Sequence, residues 1–245
     1  MNPEVVVAED KSELVAQAGA RFVDTVRAAQ AERGTASVVL TGGSNGIALL
    51  EWLREHSSGV DWSAVDVWFG DDRFVPHDDA ERNHGQAATA LLDHVRVDPA
   101  RVFAMAPSDG DFGDDIAAAA ADYARLLAEH ASEGARVPRF DVHLLGMGGE
   151  GHLNSLFPHT DALAETTETV VAVTDSPKPP PARITLTVPA VNQAREVWFL
   201  VAGTDKAEAT AAGVNGGDPV QWPCAAVRGT EATVWFLDRS AAALL

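Results

Sequence analysis

His152 stands in the stretch GMGGEGHLNSLFP, residues 146–158, two positions after Glu150. Glycines let a backbone bend sharply or approach a ligand closely, so such a loop is suited to deliver an imidazole and a carboxylate to a pocket. Its first six residues also match G-x-G-x-x-G, the pattern of a dinucleotide-binding loop. That fingerprint requires a long helix after the loop, with an acid about 20 residues on. Pro158 follows Gly151 by only seven residues, and proline would cut a helix opening at Gly151 to under two turns. The match also lies in the middle of the chain, where that fingerprint normally opens its fold. The loop therefore reads as one that displays His152.

Three further stretches carry residues fit for chemistry. Thr41-Gly42-Gly43-Ser44 joins an apolar run to a helical pattern. Free amides at a helix start, with the Ser44 hydroxyl, suit a phosphate, although an ordinary strand-to-helix turn has the same composition. Lys206 lies just inside another helix start, where the helix dipole disfavours a cation unless an anion balances it. Arg183 follows the stiff run SPKPPPA. A rigid approach would pre-set its guanidinium for bidentate phosphate recognition, while Lys178 within the run remains ambiguous. Asp71-Asp72-Arg73 places carboxylates beside a cation, either for proton handling or as a surface turn with an internal ion pair. HDDAERNH beyond it reads as a solvated acidic loop. His143, inside an apolar run, reads as a satisfied core histidine. The histidines show no metal-ligand spacing, and neither H-E-x-x-H nor C-x-x-C occurs, so no metal is expected. G-x-S-x-G is absent as well, which argues against a serine nucleophile.

These residues need elements to hold them. Asp10 and Glu13 have capping-box spacing, and apolar residues follow at helical intervals to Gly34. Next come a strand at SVVLT, a turn at GGSNG, a helix at IALLEWLREH and a strand at VDVWF. HGQAATALLDHV and DDIAAAAADYARLLAEHA read as helices, FDVHLL and TVVAVT as strands. EVWFLVA, KAEATAAGV and ATVWFLD give strand, helix and strand. Short apolar strands alternating with helices predict an α/β fold of three layers, αβα, with a mainly parallel sheet. No composition shift or repeat divides the chain, so residues 1–245 are expected to form a single domain. In parallel sheets ligands bind beyond the C-terminal strand ends. Four predicted strands end in Gly42–Ser44, Asp71–Arg73, Glu150/His152 and Thr204–Lys206, which should converge on one site.

Composition limits the partners. Apolar residues make up 46% and charged residues 22%, enough for a full core and against disorder. Eighteen Lys and Arg against 36 Asp and Glu give a net charge of -18. Such a surface repels nucleic acid and anionic membranes, so neither is an expected partner. Cys224 is the only cysteine. It reads as a small buried residue, and its solitude suits a reducing compartment. The N-terminus has no basic segment followed by an apolar one, and no apolar run is long enough to span a bilayer. A cytoplasmic monomer or small homo-oligomer is the expectation.

Taken in order, LTGGS, GDDRFVP, GMGGEGHLNSLFP, SPKPPPARITLT and VAGTDKAEAT resemble the 6-phosphogluconolactonases. The likeness runs from about residue 38 to residue 238, and its most specific parts are GHxxSLFP and SPKPPPxRIT. The resemblance implies a modified Rossmann-like fold of the isomerase/lactonase superfamily. It implies hydrolysis of 6-phospho-D-glucono-1,5-lactone in the oxidative pentose phosphate pathway, with no cofactor. The small-molecule partner is then a phosphorylated sugar lactone. Carried over, His152 becomes the general base. Gly43, Ser44, Arg183 and Lys206 fall where the family holds the phosphate, and Asp71 and Arg73 fall near the sugar ring. Glu150 stands where the family usually has aspartate, and its longer arm bears on how His152 is oriented. A neutral imidazole, with a reference pKa of about 6.5, is a competent base for activating water against a lactone carbonyl. The oxyanion would be met by loop amides or by Arg73.

Two other readings use the same pocket. Glucosamine-6-phosphate isomerases/deaminases share the superfamily, but they carry a glutamate shortly after the glycine-histidine pair. Here that stretch is Leu153-Asn154-Ser155-Leu156-Phe157, without a carboxylate. A non-catalytic sugar-phosphate-binding regulator would need a second, usually basic, module, and none is visible.

Overall fold

The computed structural model describes residues 2–245. The first half of the chain runs β1 (Glu4–Ala8), α1 (Lys11–Arg33), β2 (Ala36–Leu40), α2 (Gly43–His56), β3 (Val65–Phe69), β4 (Asp71–Arg73), α3 (Asn83–Ala90), β5 (Val102–Phe103) and α4 (Ile116–Glu129). The second half runs β6 (Val142–Leu145), α5 (Asp161–Ala164), β7 (Val170–Val173), β8 (Arg183–Leu186), α6 (Val188–Val191), β9 (Glu196–Val201), α7 (Ala207–Asn215) and β10 (Ala232–Asp238). Seven strands make one parallel sheet in the order β1-β10-β9-β6-β2-β3-β5. The other three form a small antiparallel sheet, β4-β8-β7.

Every residue of β2 and of β6 is buried. That is why these strands read as continuous apolar runs: helices cover both faces of the sheet. Alternation still sorts the side chains. Val65, Val67 and Phe69 join the core beneath α1 and α2, while Trp68 joins the core that includes Tyr123 and Leu127 of α4. The expected three-layer α/β fold is therefore present. Half of the expected capping box forms: the Glu13 N–H donates to Asp10 Oδ1 at 2.9 Å, but the Glu13 carboxylate reaches past the cap residue and accepts from the Glu9 N–H at 2.7 Å. Among the described residues, no helix is long and apolar enough to cross a membrane.

Several local expectations change. GGSNG is not a turn before a helix, because α2 already opens at Gly43. EVVVA, unassigned from sequence, is edge strand β1, and Asp71-Asp72-Arg73 is a strand rather than a surface turn. HDDAERNH is only partly solvated, since Arg82 and Asn83 at its end are buried. Between β3 and β4, Gly70 is held from both sides: its N–H donates to Leu40 O at 3.2 Å, and its carbonyl accepts from Leu186 N–H at 2.8 Å. One residue is thus bonded to β2 of the large sheet and β8 of the small one.

His143 is buried as expected, but it is not satisfied. It is 0% exposed, and neither ring nitrogen has a hydrogen-bond partner among the described residues. Burial pushes its pKa down to about 3, so the ring is neutral. An unpaired buried polar group costs about 1–3 kcal/mol. His143→Leu is accordingly expected to stabilise the protein by an amount within that range at neutral pH. The pH dependence has a definite sign. Unfolded chain takes up a proton near pH 6.5, whereas the folded state does not until about pH 3. His143 therefore removes stability as pH falls from about 6.5 toward 3, and the leucine variant should lack that part of the acid sensitivity. Urea midpoints of both proteins between pH 7 and pH 4.5 test this. A leucine variant that is less stable at both pH values would show that the ring nitrogens are not a liability.

Candidate active site

Strands β9, β6, β2 and β3 are consecutive neighbours in the parallel sheet. Their C-terminal ends therefore open on the same edge, and three of the four polar segments expected there meet in one cavity, while Thr204–Lys206 stays outside it. A cavity of about 150 Å³ lies at this edge. It is lined by Thr41, Gly42, Gly43, Asp71, Arg73, Asn83, Gly146, Met147, His152, Asn154 and Arg183. Larger hollows of about 570–620 Å³ lie elsewhere on the surface, but none is lined by His152, Asp71, Arg73 or Arg183.

The glycines make room for side chains. A Cβ on Gly42 would overlap the Asn83 amide, one on Gly70 the Asn154 amide, and one on Gly148 the His152 ring. This is the local reason for GMGGEG. The loop closes on itself, with the Gly148 N–H donating to His152 O and the Gly151 N–H to Gly148 O, each at 3.0 Å. Gly151 has φ +79°, in the left-handed region that glycine adopts freely. No helix follows the loop before Asp161, so no dinucleotide cradle is formed.

The His152 ring stacks on Phe157, centroids 4.3 Å apart. Its Nδ1 lies 3.2 Å from Glu150 Oε1 and 3.4 Å from Lys178 Nζ. Burial and then the Lys178 charge push its pKa down to about 4, against the opposing pull of Glu150. Lys178 Nζ also pairs with Glu150 Oε1 at 2.8 Å. Partial burial pushes the Glu150 carboxyl up. The hydrogen bond from Lys178, the residue's own backbone N–H, and the His152 and Lys178 charges outweigh this and hold it at about 2. The longer glutamate arm thus reaches both His152 and a lysine whose place the sequence left open.

Alternation along β4 separates its two carboxylates. Asp71 faces the cavity, accepting from Ser155 Oγ at 2.7 Å and Asn83 Nδ2 at 3.0 Å. Asp72 points away and pairs with buried Arg82 at 3.2 Å. Burial pushes the Asp72 carboxyl up to about 6, despite Arg82 and the N–H groups of Asn83 and Arg73. Arg73 and Arg183 are direct partners across the β4–β8 ladder. Arg183 is 4% exposed and donates to the carbonyls of Pro180 at 3.0 Å, Lys178 at 2.9 Å and Pro179 at 3.2 Å. The proline run does pre-set this guanidinium. Burial lowers its pKa; Asp71 acts against that and the like charge of Arg73 with it.

Other expected residues stand at the margin. Gly43 lines the cavity, but Ser44 does not; its carbonyl accepts from Lys11 Nζ at 3.0 Å. Lys206 does not line it either, because its ammonium pairs with Asp205 at 2.9 Å. Sequence reasoning missed Asn83, Asn154 and Ser155. No spacing announces them, because each is defined by a glycine or a carboxylate distant in the chain.

A family model described as glucosamine-6-phosphate isomerases/6-phosphogluconolactonase matches residues 9–235. The 6-phosphogluconolactonase of Mycobacterium tuberculosis is 54% identical over 245 residues, covering 100% of this chain and 99% of that protein. The structure of 6-phosphogluconolactonase from Trypanosoma brucei superposes with a TM-score of 0.83 at 28% identity, covering 99% of this chain and 98% of that one. A monomeric glucosamine-6-phosphate deaminase reaches a TM-score of 0.81 at 20% identity, over 99% of this chain and all of that one; that likeness extends to the fold alone. Sheet order, the strand-end cavity and the full-length matches agree, and the chain belongs to the glucosamine-6-phosphate isomerase/6-phosphogluconolactonase family.

Proposed function

We propose that the protein hydrolyses 6-phospho-D-glucono-1,5-lactone to 6-phospho-D-gluconate in the oxidative pentose phosphate pathway, with His152 as general base. The observation that carries this reading is a single neutral imidazole beside two facing guanidinium groups. With Nδ1–H donated to Glu150, Nε2 keeps its lone pair and takes a proton from water. The water oxygen bonds to the lactone carbonyl carbon, and charge gathers on the carbonyl oxygen, where Arg73 or loop amides would stabilise it. Collapse breaks the bond to the ring oxygen, which receives the proton from His152. No cofactor or metal enters this balance. Asp71 fixes the ring side of the pocket through Ser155 and Asn83.

The phosphate goes to Arg183, the amides of Gly43 and Ser44 at the start of α2, and Lys206, which must exchange Asp205 for the anion. Like charges directly opposite across a ladder are destabilising. The Arg73–Arg183 pairing therefore favours a bound anion. Since the proposed contributors run from Gly43 to Lys206 and come from both sheets, residues 1–245 would act as one domain. The carboxylate-free stretch Leu153–Phe157 favours the lactonase over a deaminase.

The purified protein, treated with a chelator, should accelerate hydrolysis of freshly generated 6-phosphogluconolactone above its spontaneous rate. It should release no ammonia from glucosamine 6-phosphate. Robust deaminase activity, or lactonase activity lost on chelation, overturns the assignment.

A further inference from the structure

Two asparagines line the cavity, and their amides differ in one respect. Asn83 is paired: Nδ2 donates to the Asp71 carbonyl at 2.8 Å and to its carboxylate, while Oδ1 accepts from Arg73. Asn154 is 8% exposed, and neither Nδ2 nor Oδ1 has a partner among the described residues. Its backbone is also held at φ +46°, in the left-handed region. Asparagine enters that region more readily than most side chains, but still at a cost. Gly70 lies directly beneath the amide, and any Cβ there would evict it. A strained backbone and a glycine together place an unpaired carboxamide in the wall of the reaction cavity. Buried polar groups are almost always hydrogen-bonded, so this one calls for a partner that arrives with the ligand.

The chemistry of the amide selects that partner. A phosphate or an oxyanion only accepts, and would face Oδ1 lone pair to lone pair. A hydroxyl both accepts and donates, so neighbouring hydroxyls on a sugar satisfy Nδ2 and Oδ1 together. We infer that Asn154 is a specificity-determining residue that binds hydroxyl groups of the phosphorylated sugar. This rests on the proposed substrate class and names the part of the substrate that the amide reads.

Asn154→Gly is the informative variant, because glycine keeps the left-handed backbone while the side chain with its amide is removed. KM for 6-phosphogluconolactone should rise on the order of tenfold, as expected of one lost hydrogen-bonding group, with kcat changed much less. The thermal shift given by 6-phosphogluconate should shrink, and that given by inorganic phosphate should not. A variant that keeps the wild-type KM and the wild-type sugar-phosphate shift overturns the inference and leaves Asn154 a spacer over Gly70. If the wild type responds to glucosamine 6-phosphate instead of 6-phosphogluconate, and the glycine variant loses that response, the lactone reading falls and the role of Asn154 stands. A wild type indifferent to both sugar phosphates overturns the two together.

Discussion

His152→Ala is expected to lower kcat on the order of 10²–10⁴-fold, the usual share of general acid–base catalysis. The variant should remain folded, with a modest loss of stability from the missing stack on Phe157. Binding of 6-phosphogluconate should largely survive, because the proposed phosphate contacts lie on other segments. The wild-type pH profile follows from the site. An ordinary histidine would make kcat rise through pH 6.5. Burial and Lys178 push this one down to about 4, so its base form is complete well below neutrality. After subtraction of spontaneous hydrolysis, kcat should be level from about pH 5.5 to 8 and fall only as pH approaches 4. A half-maximal point near 6.5 would contradict the buried, lysine-facing geometry. A well-folded alanine variant that keeps more than about a tenth of wild-type kcat, against the expected loss, would remove His152 from the mechanism and turn attention to Asp71 and Glu150.

Arg183→Ala should reduce kcat/KM for the phosphorylated lactone by about 10–150-fold, the equivalent of a charge-assisted contact of roughly 1.5–3 kcal/mol. On unphosphorylated gluconolactone the loss should be much smaller. Part of the effect will be structural, since the guanidinium also ties down the carbonyls of Lys178, Pro179 and Pro180. That part acts on both substrates and cancels in their ratio. Lys206→Ala, which sequence reasoning ranks beside it, should show the same selectivity at smaller amplitude, because Lys206 stands outside the cavity and is shared with Asp205. Equal factors on the two substrates would exclude a phosphate clamp at Arg183.

What was legible in the sequence was whatever depends on neighbours in the chain. Buried parallel strands announce themselves as apolar runs, and SVVLT, VDVWF and EVWFLVA fall in the large sheet as read. The convergence of the strand ends that carry Gly43, Asp71 and His152 followed from parallel topology, whereas the Thr204–Lys206 end stays outside the cavity. Contacts made across the chain were not legible. Asp71-Asp72-Arg73 is polar and three residues long, and becomes a strand only because Arg183–Thr185 lies alongside it. HDDAERNH looks solvated until Arg82 meets Asp72. His143 looked satisfied because its partners could not be counted from sequence. The lowered pKa of His152 was equally out of reach, since it arises from burial and from a lysine 26 residues away.

Gly70 has a mechanical consequence. It is the single residue between β3 and β4, and its two backbone groups are bonded to different sheets. A link of that kind works as a weld, not a hinge. His152 and the Gly43 end of α2 belong to the large-sheet side, whereas Asp71, Arg73 and Arg183 ride on the small sheet. Their spacing is therefore tied to the backbone that joins the two sheets. Dipoles already aimed need no reorganisation during reaction. A receptor welded in this way should catch its ligand as a lock takes a key, with turnover limited by chemistry or release rather than by the closing of a jaw.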